Sequence, residues 1–225
     1  MLDGFDAGES ARLIGRGLQF FDLHTYKRSA VISSVAEDHA DILYVSSGAV
    51  GLYSHVCGNE ELIGLILKGE CVSFGGRAMN PGRLTARALK NSNVYVGRST
   101  NLAGLMPDGA INRLVMSATT HLFNLLLNQA AAMKVRRLED RIVVVLKNCA
   151  RFQGQDLSQD AVELEWGISQ VEFANLLGVA RPYLNKAIRQ LEQSGVLEFN
   201  GDRVVLDECR KKKGLEVRHE NARYG

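Results

Sequence analysis

The sequence predicts an α+β chain of two domains, strands first and helices last, and three observations predict it. Short apolar runs separated by Gly, Ser and Asn fill the stretch from Phe20 to Ser99, which is strand patterning. A proline-free segment from Asp108 to Arg136 then carries apolar residues at helical spacing. Shorter helical segments follow, and after them two strand-like runs meet at an Asn-Gly pair. A chain of 225 residues is long enough for two modest cores.

Within the first domain, "DILYVSSGAVGLYSHV", "EELIGLILKGECVSF", "RLTARALKNS" and "NVYVGRST" are rich in Val, Ile, Leu and Tyr, the residues that suit a half-buried pleated surface. "SSG" at Ser46 to Gly48, "CGNEE" around Gly58 and "NPG" at Asn80 to Gly82 supply corners for an antiparallel roll. In the long helical segment, Ile111, Val115, Ala118, Leu122, Leu125, Gln129 and Ala132 alternate spacings of four and three, a coiled-coil seam, and Leu114, Leu126 and Met133 widen it. A stripe this broad buries two sides, so one side is expected on the β domain and the other on a second copy of the chain. "LEDRIVVVLKNCARF" from Leu138 forms the next helix, and "QGQDLSQDAVELEWG" reads as a polar connection. The expected domains are therefore 1–107, 108–136 for the pairing helix, 137–210, and a basic, disordered tail over 211–225.

Ser169 and Glu172 form an S-x-x-E capping box directly before "FANLLG", which starts a helix. Gly178 ends it, because a residue without Cβ accepts the left-handed turn. Pro182 stands in the first turn of the next helix, where its missing N–H costs nothing. Leu184, Ala187, Ile188 and Leu191 fall on one side of that helix and leave Arg181, Tyr183, Lys186 and Arg189 to other faces. Helix, glycine turn and helix, followed by the hairpin "GVLEFNGDRVVLDE", describe a winged helix-turn-helix. Such a unit inserts its second helix into the major groove of double-stranded DNA. Arg181, Lys186 and Tyr183 are the candidate base readers; Ser169, Gln170 and Arg189 are candidates for the backbone. Between Arg181 and Gln190 every charged residue is positive.

Composition narrows the alternatives. The net charge of +2, with 46% hydrophobic and 23% charged residues, fits a globular protein and excludes a histone-like polymer. No apolar run approaches the roughly 18 residues of a membrane span, and "MLDGFDAGESARLIGR" lacks the order of a signal peptide. A cytoplasmic protein with no membrane partner is expected. Four scattered cysteines without a CxxC pair, and five dispersed histidines, predict no metal centre; His55 and Cys57 alternate on one strand face without further ligands. There is no phosphate loop, no G-x-S-x-G and no HExxH, and Glu139 and Asp140 read as helix-surface charges. An enzyme is not expected. The competing reading is a small-molecule-binding module whose winged helix is a protein-interaction surface.

"ISQVEFANLLGVARPYLNKAIRQLEQSGVLEFNGDRVVL", preceded by "DRIVVVLKNCA", resembles the CRP/FNR superfamily of bacterial transcription regulators. The resemblance extends over nearly the entire chain. It implies a jelly roll like that of cyclic-nucleotide-binding domains, a homodimer joined through the long helix, RNA polymerase as a partner, and base-reading places at Arg181 and Lys186. Ser169, Gln170 and Asn200 match backbone-contacting places. Pro182 replaces the family's usual acidic reader and cannot accept a hydrogen bond from cytosine, so a different operator is expected.

The β domain departs further from the family. In "GECVSFGGRAMNPGRLTA", Gly69 and Glu70 fit the cyclic-nucleotide cassette, but Phe74 stands at the ribose-binding Glu and Leu84 at the phosphate-binding Arg. An apolar pair offers neither acceptor nor charge, so cyclic AMP is not expected. Arg77 and Arg83 lie nearby and leave a shifted anion site open, with Glu70, Cys71, Phe74, Arg83 and Thr85 as the candidate effector pocket. An iron-sulfur cluster is not expected without an N-terminal cysteine cluster. Haem is not expected either, because Ser73 and Gly75 occupy the ligand places. Cys71 as a packed strand thiol is preferred to a redox switch.

Overall fold

The structure is a computed structural model that describes residues 20–34, 40–56, 58–75, 84–98 and 109–207. The chain divides into two units, 1–131 and 132–225. Cys57, Arg77, Arg83, the "NPG" turn and the tail with Lys211 to Lys213 lie outside the described residues, as do the side chains of Phe74 and Ile111.

In the first unit the described strands are β1 (Asp22–Tyr26), β2 (Val31–Ser34), β3 (Ala40–Ser47), β4 (Ala49–Val56), β5 (Asn59–Leu67), β6 (Cys71–Gly75), β7 (Leu84–Ala88) and β8 (Ser92–Arg98). They form two sheets in the orders β1-β8-β3-β6 and β2-β7-β4-β5, with every pairing antiparallel. This is the strand order of a jelly roll, two Greek keys folded into facing sheets. Gly48 makes the β3–β4 corner at φ +94°, where a Cβ would overlap Ser92. The Ser92 hydroxyl holds the same corner, accepting from Ala49 N at 3.1 Å and donating to Lys90 O at 2.8 Å.

The long helix α1 (Ala110–Ala132) belongs to this unit through residue 131. Leu114 and Ala118 are buried in one cluster with Phe21, Ile42 and Cys71, flanked by Tyr44 and Tyr95. One and two turns later Leu122 and Leu125 are buried as well. Gly64 of β5 shows how closely the helix approaches, for a Cβ there would sit 2.6 Å from Leu125 Cδ2 and 3.6 Å from Leu126 Cδ2. The seam read from the sequence thus turns inward at Ala118, Leu122 and Leu125. A second four-three series, Met116, Thr120, Phe123, Leu127 and Ala130, is exposed along the helix.

The second unit begins with the Ala132 to Arg137 linker and α2 (Leu138–Phe152), whose Ile142, Val143, Val145, Leu146, Cys149 and Ala150 are buried. Helices α3 (Gln170–Leu176) and α4 (Arg181–Gln193) follow, then β10 (Leu197–Asn200) and β11 (Arg203–Asp207). The segment expected to be a polar connection contains a strand, β9 (Ala161–Glu165), which pairs antiparallel with β11 and gives the order β10-β11-β9. Its burial alternates, with Val162 and Leu164 inside and Ala161, Glu163 and Glu165 outside. Charge at every second residue masked a period-two strand as a polar loop. The Gln153 amide ties the end of α2 to β9, donating to Glu165 O at 2.7 Å and accepting from Glu165 N at 3.1 Å. Among the described residues, no helix is long and apolar enough to cross a membrane.

Candidate nucleic-acid interface and effector region

Local chemistry sets the two helices of the interface. Ser169 Oγ accepts from Glu172 N at 3.2 Å, while Glu172 Oε2 accepts from Ser169 N at 2.8 Å, so the capping box is reciprocal. Trp166, buried before the cap, meets Phe173 edge-on with ring centroids 4.7 Å apart, which fixes how the chain enters α3. At its other end Gly178 adopts φ +63°. Gly178 N donates to Asn175 O and Val179 N to Ala174 O, both at 3.0 Å, the paired bonds of a Schellman motif. Helix α4 then opens with Arg181 and Pro182 after the extended residue Ala180.

Burial divides α4 by chemistry. Leu184, Ala187, Ile188 and Leu191 are inside, whereas Arg181, Pro182, Tyr183, Lys186 and Arg189 are exposed. At 3.6 residues per turn, Lys186 and Arg189 lie opposite the buried row, and Arg181 and Tyr183 flank them. Tyr183 is 68% exposed, too open for a ring recruited to the core. Gln170 and Asn200 are exposed, and Ser169 is half-buried because its hydroxyl is engaged in the cap. Asn200 is the last residue of β10, opposite Arg203, so the hairpin loop itself is Gly201 and Asp202. This surface presents cations and one aromatic ring without an acidic side chain on α4 before Glu192, a face suited to phosphate oxygens and base edges.

The candidate effector residues are placed differently. Glu70 is 3% exposed, and its Oε2 accepts from Leu67 N at 2.8 Å, so its carboxylate closes the β5–β6 turn. His121 of α1 brings Nε2 to 4.0 Å from the same oxygen; the sequence reading missed this partner, whose signal was a histidine inside an apolar helix. Cys71 packs against α1, and burial pushes its thiol up to about 12. That value favours the neutral form and fits the packed-thiol expectation. Thr85 is buried, with Oγ1 3.0 Å from His55 Nε2. Its strand neighbour Arg87 holds Glu60 through both terminal nitrogens at 2.8 and 2.7 Å and lies over the Tyr53 ring. Among the described residues, no group of three or more His, Cys, Asp or Glu could hold a metal ion.

Residues 134–211 match the Crp-like helix-turn-helix domain. The transcriptional activator protein FnrA of Stutzerimonas stutzeri is 26% identical over 187 residues, which cover 80% of this chain and 75% of that protein. Among solved structures, FixK2 from Bradyrhizobium japonicum aligns with a TM-score of 0.66 at 19% identity, covering 85% of this chain and 94% of FixK2. A CooA mutant from Carboxydothermus hydrogenoformans aligns with a TM-score of 0.63 at 19% identity, covering 88% of each chain. At these identities the two structures speak for the fold alone.

Proposed function

We propose that this chain, whose residues 134–211 match the Crp-like helix-turn-helix domain and which is similar to an FnrA activator, is a transcription regulator of the CRP/FNR type that works as a homodimer reading a near-palindromic operator. Arg181, Lys186 and Tyr183 read base edges, and Ser169, Gln170, Arg189 and Asn200 hold the backbone. The exposure of Arg181, Tyr183, Lys186 and Arg189 on α4, with no acidic side chain before Glu192, is the observation that carries this reading. The second copy covers Met116, Phe123 and Leu127 of α1, large apolar side chains 67%, 62% and 53% exposed in the single chain; an apolar seam of this kind is a coiled-coil contact. Recruitment of RNA polymerase from the cytoplasm belongs to the same reading, which assigns the protein binding and no catalysis.

Any effector is a molecule other than cyclic AMP. The family resemblance puts Phe74 and Leu84 at the places of the ribose- and phosphate-binding side chains, and the Glu70 carboxylate already serves the β5–β6 turn. Selection of bound duplexes from a random library tests the operator. The expected product is an inverted repeat with half-sites about one helical turn apart, retained less as salt rises. Recovery of unselected DNA, or no salt-sensitive retention, favours the winged helix as a protein-interaction surface.

A further inference from the structure

Arg141, in the first turn of α2, joins two places that the sequence leaves unconnected. Its Nε and Nη2 donate to Val135 O at 3.2 and 2.9 Å, and its Nη1 donates to Leu177 O at 3.1 Å. Val135 belongs to the linker through which the chain passes from α1 into the DNA-binding unit, and Val135 N donates to Ala132 O at 3.0 Å. Leu177 is the C-cap of α3, fully buried, immediately before the Gly178 turn that aims α4. The Schellman bonds of that turn use the carbonyls of Asn175 and Ala174 and leave the Leu177 carbonyl over. One rigid planar fork therefore serves the entry segment and the helix-turn-helix corner together. A lysine ammonium, a single point charge on a flexible stem, cannot reproduce that two-sided geometry.

We propose that Arg141 is a positioning residue of DNA recognition: it locks the linker to the corner of the helix-turn-helix, so that the entry of the chain and the aim of the reading helix are set as one body. It contacts no base in this role. What it fixes is the direction in which the entry segment leaves the helix-turn-helix, and hence which half-site spacing the dimer accepts. The inference rests on the dimeric reading proposed above.

The test uses the full-length protein, the duplex selected by wild type, and copies with one base pair added or removed between half-sites. Each change shifts a half-site by about 3.4 Å and roughly a tenth of a turn. Arg141→Lys keeps the charge and Arg141→Met keeps much of the stem; thermal melting establishes that each variant is folded. We expect the wild-type preference for its own spacing to fall about tenfold in Arg141→Lys, with the order of base preferences inside each half-site retained. An unchanged spacing preference in a folded variant overturns the inference, as does equal weakening on all three duplexes. So does failure of both variants to fold, because a clamp that only positions leaves the fold standing. A wild type without any spacing preference removes the dimeric reading itself, and this inference with it.

Discussion

The two units treat their polar side chains in opposite ways. In the helix-turn-helix unit, Arg181, Lys186, Arg189 and Tyr183 stand in solvent on one helix, while less exposed polar groups such as Ser169, Arg141 and Gln153 shape the turn and hold the linker and β9. In the β unit, the candidate effector residues Glu70, Cys71 and Thr85 are buried and committed to a turn, a packed cluster and a histidine. A surface meant for a large anionic partner must keep its cations hydrated and available. The second unit thus keeps its cations exposed for the proposed reading of DNA, whereas in the β unit Glu70, Cys71 and Thr85 are engaged in holding the roll and its helix together.

The largest effect is expected at the exposed seam of α1. Phe123→Asp places a charge where a second copy is proposed to pack, and the folded chain loses nothing inside. We expect the mass by light scattering to halve and operator affinity to fall on the order of 100-fold or more, because two-site attachment is lost. A variant that keeps both the dimer mass and its affinity refutes this seam. Gly64→Val attacks the inner face of the same helix. Its side chain meets Leu125 and Leu126, and the expected cost is about 1–3 kcal/mol of stability, read from urea unfolding. Ser169→Ala acts on the second unit. Loss of the cap should remove about 1 kcal/mol from unfolding stability, and operator affinity should weaken more than that of a variant equally destabilised in the β unit.

Legibility in the sequence follows the same division. Signals that act within a few residues were readable: the Ser169 box, Gly178, Pro182 and the α2 boundaries all came out where the spacing put them. Strand β9 was missed because its glutamates at alternate positions look like a loop until β11 supplies the partner that buries Val162 and Leu164. On α1 two four-three series interleave, and only the β sheets decide that Ala118, Leu122 and Leu125 turn inward while Phe123 and Leu127 stay outside. Arg141 was opaque for a related reason, since its acceptors lie six residues before it and thirty-six after.

The smallest effect concerns Cys71. Its folded-state value near 12 lies above the ordinary 9.0 because burial disfavours the thiolate. The thiol's contribution to stability is therefore whole below pH 9 and is lost as pH rises toward about 12. At pH 8 an alkylating reagent should label Cys71 only after unfolding, as peptide mass mapping reads directly; rapid labelling of the native protein would restore the redox-switch reading.

Arg181 is proposed to read a base from the exposed face of α4. The direct measurement is the affinity of wild type and Arg181→Ala for the selected operator and for its complete set of single-base-pair variants. Arg181→Ala is expected to level the preference at one base pair in each half-site, a loss of about 1–3 kcal/mol there, and to leave discrimination elsewhere intact. Full discrimination at every position in Arg181→Ala, or a uniform weakening across all variants, would contradict it.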